Sequence, residues 1–314
     1  MTEFQTLVRF QRLGLGMAVA GVVWLMWPGP LGDPKFDARV FQPASKVSPK
    51  PVVLIDEAHS NLDTAWGRYR PFADLLRNDG YTIAVNRRKF TWQALEGARV
   101  LVVADALSTT QKMLASLGQE RKFRWRADAF DEPETRAVRE WVRGGGSLLL
   151  IAGRAPYGEA AQGLAAQFAV EMSGGRVEDL VHHDPQTGKP DFLLFSRSNG
   201  LLGEHAITLG RGEDEQLSQV LSFGGQALRG PPGSAAFLKL SEHAIVSPSA
   251  WTPAGQGLAL EFGAGRVVVL AEDAMLTSLV ERTGNKELHL GMSRPGYDNR
   301  QLTLNVIHWL TRIL

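Results

Sequence analysis

The chain has 314 residues, 44% hydrophobic and 21% charged, with 34 Lys and Arg against 33 Asp and Glu for a formal net charge of +1. That composition is globular rather than disordered, and so balanced a charge gives no global reason to expect nucleic acid or an acidic substrate, whose binding needs a concentrated basic surface. No cysteine occurs, which excludes disulfides, thiolate nucleophiles, cysteine-ligated zinc and iron–sulfur clusters.

Between Arg12 and Asp33 no residue is charged, and Leu13 to Trp27 is apolar throughout. Roughly 15 to 19 helical residues span about 22 to 28 Å, near the ~30 Å of a hydrocarbon core, with Trp24 and Trp27 placed for its interface. Residues 13–31 are expected to form an N-terminal transmembrane helix, a signal-anchor preceded by a cytoplasmic tail at 1–12. The Pro-Gly-Pro that follows is unlike a small-x-small cleavage site. The short tail favours a single-pass protein of the inner (cytoplasmic) membrane with its soluble domain extracytoplasmic, in the periplasm. Prolines 28, 30, 34, 43, 49 and 51 then read as an extended linker over 32–50.

A domain is expected over 51–314. Val52 to Ile55 is a continuous aliphatic run ending in Asp56-Glu57, the pattern of a strand buried on both faces. The stretch Arg70-Pro-Phe-Ala-Asp-Leu-Leu-Arg-Asn-Asp-Gly80 reads as a helix, with Pro71 in its first turn and Gly80 just past its end. Tyr81 to Val85, Arg99 to Ala104 and Ser147 to Ala152 repeat the strand pattern. A helix over Pro133 to Arg143 is started by Asp131 with Glu134 three residues on and stopped by Gly144-Gly-Gly146. Such alternation predicts an α/β fold, a mostly parallel sheet with helices on both faces. The middle, roughly 173 to 257, reads as a β-rich excursion. Leu258 to Phe262 and Arg266 to Ala271 then form a hairpin returning to the sheet. A last helix is expected from about Asn299 to Ile313, capped by Asp298, with His308 off its apolar face and exposed.

Several segments resemble an uncharacterised bacterial membrane-anchored family, a domain of unknown function with a class I glutamine amidotransferase-like, flavodoxin-like fold. They are Asp56-Glu-Ala-His-Ser-Asn61, Gly67-Arg-Tyr-Arg-Pro-Phe72, Gly265-Arg-Val-Val-Val-Leu-Ala-Glu-Asp273 and Gly296-Tyr-Asp-Asn-Arg-Gln301. The resemblance implies a nucleophilic cysteine near Ile151-Ala-Gly-Arg154, where this chain has none, and no Gly-x-Ser-x-Gly elbow replaces it. Amidotransferase activity is therefore not expected. By the same resemblance the chain would be a ligand- or partner-binding module, an accessory to a membrane transporter or ATPase system.

Asp-Glu-Ala-His also spells a helicase signature, but no Gly-x-x-x-x-Gly-Lys-Ser/Thr loop accompanies it. In open α/β sheets ligands bind beyond the carboxyl ends of the strands, where strand order reverses. That rule gathers Asp56, Glu57, His59, Asn61, Arg68, Arg154, Asp273 and Asn299 as ligand-binding candidates, with Asp105 and Glu272 at the same ends. The opposing reading is a hydrolase using Glu57 or Asp56 with His59, with a divalent metal assisting. The ordinary alternative for each is loop capping and ion pairing. Glu120-Arg-Lys-Phe-Arg-Trp-Arg126 interleaves charge with aromatics, yet a solvated loop explains it; no nucleic-acid partner is expected. His182-His183-Asp184 reads as a surface turn because no third ligand has diagnostic spacing. Neither His-Glu-x-x-His nor Gly-x-Gly-x-x-Gly occurs, so no metal ligand set and no cofactor are assigned. The partners expected are the membrane through 13–31, a membrane-complex protein, and a small-molecule ligand of unspecified class.

Overall fold

The computed structural model describes residues 33, 35–116, 128–248, 251, 255–283 and 286–314. Nine strands form the main sheet. In chain order they are β1 (Val52–Asp56), β2 (Thr82–Asn86), β3 (Val100–Ala104), β4 (Ser147–Ile151), β5 (Glu171–Met172), β6 (Leu228–Arg229), β7 (Ala235–Lys239), β8 (Gly255–Phe262) and β9 (Gly265–Leu270). Their spatial order is β2-β1-β3-β4-β9-β8-β6-β5, with β7 also on β8. The first five are parallel, in register through Leu54↔Leu101, Val102↔Leu149 and Leu149↔Val268. Beyond β9 the pairing turns antiparallel.

Side chains of successive strand residues point to opposite faces, so each apolar run feeds two cores. Val53, Ile55, Val100, Val102, Leu149 and Val268 pack with helices α1 (Arg70–Asn78) and α4 (Asn299–Leu310) on one face. Leu54, Leu101, Val103, Leu148, Leu150 and Val269 pack with α2 (Glu132–Arg143) and α3 (Tyr157–Ala166) on the other. Continuous rather than alternating apolar runs are what this two-sided burial requires. α2 begins as its sequence dictates: Asp131 accepts from the Glu134 backbone N–H at 2.9 Å, and Glu134 Oε2 accepts from the Asp131 N–H at 3.1 Å. This reciprocal box satisfies two donors that a helix start leaves open.

The expected transmembrane helix is corrected here. Among the described residues no helix is long and apolar enough to cross a membrane. The longest, α2 and α4, run 12 residues each, roughly 18 Å of rise where a hydrocarbon core needs about 30 Å. Residues 13–31, assigned to the span, lie outside the described residues. The signal-anchor, the inner-membrane location and the periplasmic placement all depended on that helix and are not retained.

Two further expectations change. α4 ends at Leu310, and Asp298 stands at its N-cap, where its carbonyl accepts the Leu302 N–H at 2.8 Å, but its side chain makes no capping bond; Asp298 Oδ2 accepts instead from the N–H groups of Ser218 and Gln219 at 2.7 and 3.0 Å. His308 is 1% exposed, and its Nε2 lies 2.6 Å from Asp79 Oδ2. The reason is that α4 has no free side. The excursion covers it through Asn305 Nδ2, which donates to the carbonyls of Ile207 and Glu215. The proline-rich stretch also lies along the domain. Phe36, Ala38 and Val40 pack on the first core, and the Ala44 and Ser45 N–H groups donate to Asp79. A cavity of about 780 Å³ opens there, among Phe36, Phe41, Arg211, Met292, Arg300 and His308. It lies beside the carboxyl end of α1, away from the carboxyl ends of the strands.

Candidate functional site

The order β2-β1-β3-β4-β9 reverses between β1 and β3, because the chain moves outward from β1 to β2 and then returns to the other side of β1. Loops leaving the carboxyl ends of two such strands diverge and open a crevice. The loop after β1, residues 57–69, and the turn after β3 meet here, where the Leu62 N–H donates to the Asp105 carbonyl at 3.1 Å. Both turns are tight enough to force non-glycine residues into the left-handed region, Ser60 at φ 50° and Asp105 at φ 42°. Asp tolerates that region better than most residues, at a cost on the order of 1 kcal/mol.

Three carboxylates converge in the crevice. One oxygen each from Asp63, Asp105 and Asp273 lies within 4.8 Å of the others. Asp105 Oδ1 accepts the Gly153 N–H at 2.8 Å, which ties the end of β3 to the end of β4. Arg68 Nη2 donates to Asp273 Oδ2 at 2.6 Å, and its Nε stands 3.5 Å from Asp63 Oδ1. Asp63 is fully buried, and among the described residues neither of its oxygens has a hydrogen-bond donor. Burial first, and then the charge of Asp273, push the Asp63 carboxyl well above the usual carboxylate range, with Arg68 opposing. Asp105 moves the same way for the same reasons, Asp63 adding to Asp273. Burial works to lower Arg68, and the surrounding carboxylates outweigh it and raise it. Glu272 is pushed up to about 8 by burial and Asp273, against the N–H groups of Ala274 and Met275 that it accepts. Tyr69 donates its hydroxyl to the Asp273 carbonyl at 3.1 Å, and burial beside these carboxylates raises both Tyr69 and Tyr157. Leu62 and Trp66, 40% and 65% exposed, belong to the loop after β1, and the Arg77 guanidinium lies 5.0 Å from the centre of the Trp66 ring.

The sequence candidates fall into three groups. Arg68 and Asp273 form the ion pair just described. Asp56, Glu57, His59 and Asn61 sit at the end of β1 but are taken up by bonds within their own loop and to neighbouring elements. Asp56 Oδ2 lies 2.8 Å from His59 Nδ1, and His59 Nε2 lies 2.8 Å from Glu134 Oε1. The imidazole is wedged between Phe90 and Phe130, each 4.7 Å away by ring centroid. With a carboxylate at each nitrogen it is held as an imidazolium: burial works to lower its pKa, and Asp56 and Glu134 together raise it. A histidine so placed has no free nitrogen with which to take a substrate proton. Glu57 accepts from the Ala65 N–H at 3.0 Å and pairs with Arg87 at 3.2 Å. Asn61 accepts from the His59 N–H and donates to the Ala104 carbonyl, each at 3.1 Å.

Arg154 and Asn299 stand apart. Arg154 is exposed, and its side chain enters no ion pair among the described residues. Asn299 is fully buried and pairs with the Leu221 backbone, accepting at 3.0 Å and donating at 2.8 Å. Asp63 and Tyr157 are the residues that sequence reading passed over. Asp63 lies between the Asp56–Asn61 and Gly67–Phe72 motifs. Its one signal is membership of the loop that leaves the first strand at the switch point.

No family model matches the chain, and no curated protein matches it. Solved structures do. The mmIFT52 N-terminal domain superposes with a TM-score of 0.58 at 15% identity, covering 82% of this chain and 97% of that one. A cytoplasmic protein from Salmonella typhimurium gives 0.45 at 13% identity, over 83% and 98%. A ThuA-like protein from Bacteroides uniformis gives 0.43 at 11% identity, over 85% and 94%. At these identities the likeness to the first concerns the fold alone.

Proposed function

We propose that this chain is a binding module of glutamine amidotransferase-like fold, which takes a ligand bearing positive charge in the crevice between β1, β3, β4 and β9. The observation that carries the reading is Asp63, a fully buried carboxylate whose two oxygens accept no hydrogen bond, beside two more carboxylates with Arg68 as their cationic partner. With no hydrogen-bond donor and its nearest cation 3.5 Å away at Arg68, Asp63 is costly to ionise where it lies buried. A site held in that state is prepared for a cation that arrives from outside.

The stretch near which the resemblance would put a cysteine nucleophile, Ile151-Ala-Gly-Arg154, includes Gly153, whose N–H is bound to Asp105. The hydrolase reading through His59 has less support, since both imidazole nitrogens face carboxylates.

Native mass spectrometry of the full chain, purified gently from cells, tests the proposal. The wild type should retain a non-covalent adduct that Asp63→Asn loses, while neither protein releases ammonia from glutamine. Both proteins appearing at their bare masses, with no adduct on either, would overturn it.

A further inference from the structure

We infer that Asp63, Asp105 and Asp273 form a site for one hard divalent cation, held by one carboxylate oxygen from each. The inference rests on the same crevice as the binding module and names what satisfies its charge.

Charge is the first argument. Ionised together, as a bound cation would hold them, the three carboxylates beside one guanidinium carry two net negative charges in a largely buried space. One divalent ion brings that sum to zero without disturbing the Arg68–Asp273 pair. Donor type is the second. All three ligands are carboxylate oxygens, with no imidazole or thiolate among them, and such sets suit calcium, magnesium or manganese rather than zinc or copper.

Geometry is the third. The three oxygens lie within 4.8 Å of one another. Ligands of one calcium ion at about 2.3–2.6 Å are at most roughly 4.6–5.2 Å apart, so the three separations fall within the span of a single coordination sphere. Each carboxylate also has capacity in hand. Asp273 gives Oδ2 to Arg68 and Asp105 gives Oδ1 to Gly153, so each keeps its other oxygen. Asp63 gives neither of its oxygens to a donor among the described residues.

The glycine at the end of β4 fits the same picture. A Cβ built at Gly153 would lie 3.6 Å from Asp105 Oδ1 and 3.8 Å from Asp273 Oδ1. The backbone there is therefore bare where two of the carboxylates face it. The side chains of Arg68 and Asp273 are 13% and 15% exposed, whereas that of Asp63 is fully buried.

The test uses the full chain, stripped with a chelator, and manganese as the probe. Electron paramagnetic resonance should count one bound manganese per chain, and calcium should displace it. Asp63→Asn should weaken binding by roughly tenfold or more. Without metal the same variant should be at least as stable as the wild type, since it removes a buried carboxyl group that has no hydrogen-bond donor, and its thermal midpoint should no longer rise with metal. Asp105→Asn provides a second variant with the same expectation for binding. Wild-type protein that binds no manganese at about 10 mM, beyond the range of the weakest calcium modules, would overturn the site. Manganese binding undiminished in both variants would do so as well. If the wild type retains an organic adduct that depends on Asp63 yet binds no manganese, the cation site fails and the binding module stands.

Discussion

Arg68 and Asp273 are 205 residues apart in the chain and 2.6 Å apart in space. One belongs to the loop leaving the first strand, the other to the turn after the last parallel strand, and their contact crosses the mouth of the crevice. It also places the only arginine of the cluster beside Asp63 and Asp273 together.

Removing that guanidinium leaves buried carboxylates without a counter-charge. In metal-free protein Arg68→Met should lower unfolding stability by about 3 kcal/mol, read from urea denaturation near neutral pH. Adding Asp63→Asn should return part of the loss, because one of the stranded charges is gone. Equal losses for the single and double variants would show that Arg68 does not act on Asp63.

His59 gives a pH dependence of defined sign. Its pKa is raised in the folded state from an ordinary 6.5 by Asp56 and Glu134, which outweigh its burial. A histidine of this kind stabilises while protonated. Its contribution is complete below the unfolded value and is lost as pH rises through the folded value. Stability measured from about pH 5.5 to 9 should therefore fall at the alkaline end more in the wild type than in His59→Gln. The variant should lose about 3 kcal/mol at the acidic end. Parallel pH profiles for the two proteins would rule out this account.

Glu134 serves three partners at once. It completes the helix-start box with Asp131, accepts the Phe90 N–H at 3.0 Å and faces His59. Asp131→Ala should cost about 1 kcal/mol, the ordinary value of a helix cap, whereas Glu134→Ala should cost about 3 kcal/mol. A double-mutant cycle between His59 and Glu134 should return a coupling of at least about 1 kcal/mol. Additive losses would mean that the two residues contribute independently.

Gly80 fixes the segment ahead of β1 to the domain. Its φ is +96°, and a Cβ there would lie 2.2 Å from the Ser45 carbonyl oxygen. Gly80→Ala should destabilise by about 2 kcal/mol and expose residues 33–50 to limited proteolysis earlier than in the wild type. An unchanged cleavage pattern would show that this contact does not hold the segment.

Much of the fold is readable in one dimension. The runs at Val52, Val100, Ser147 and Arg266 are apolar on both faces, and only a sheet covered on both sides can bury them. The Asp131–Glu134 spacing is likewise local and marks the start of α2. Less of the crevice can be read, because a polar side chain at a strand end does not reveal which way it turns. Asn299 turns inward to the Leu221 backbone, and His59 turns to Glu134, 75 residues on. Asp63 has no local pattern and is distinguished only by what surrounds it once folded. His308 follows the same logic in reverse, for a position off one apolar face is exposed only if nothing else covers it.

By itself the sequence determined which segments become strands and helices and that no thiol chemistry is possible, because burial periodicity, capping and residue identity are properties of neighbours along the chain. Which carboxylates lack partners was decided only by tertiary structure, together with the convergence of Asp63, Asp105 and Asp273 and their sharing of Arg68. Those relations join residues up to 210 positions apart, and their energies depend on burial that exists only after the sheet has closed over them.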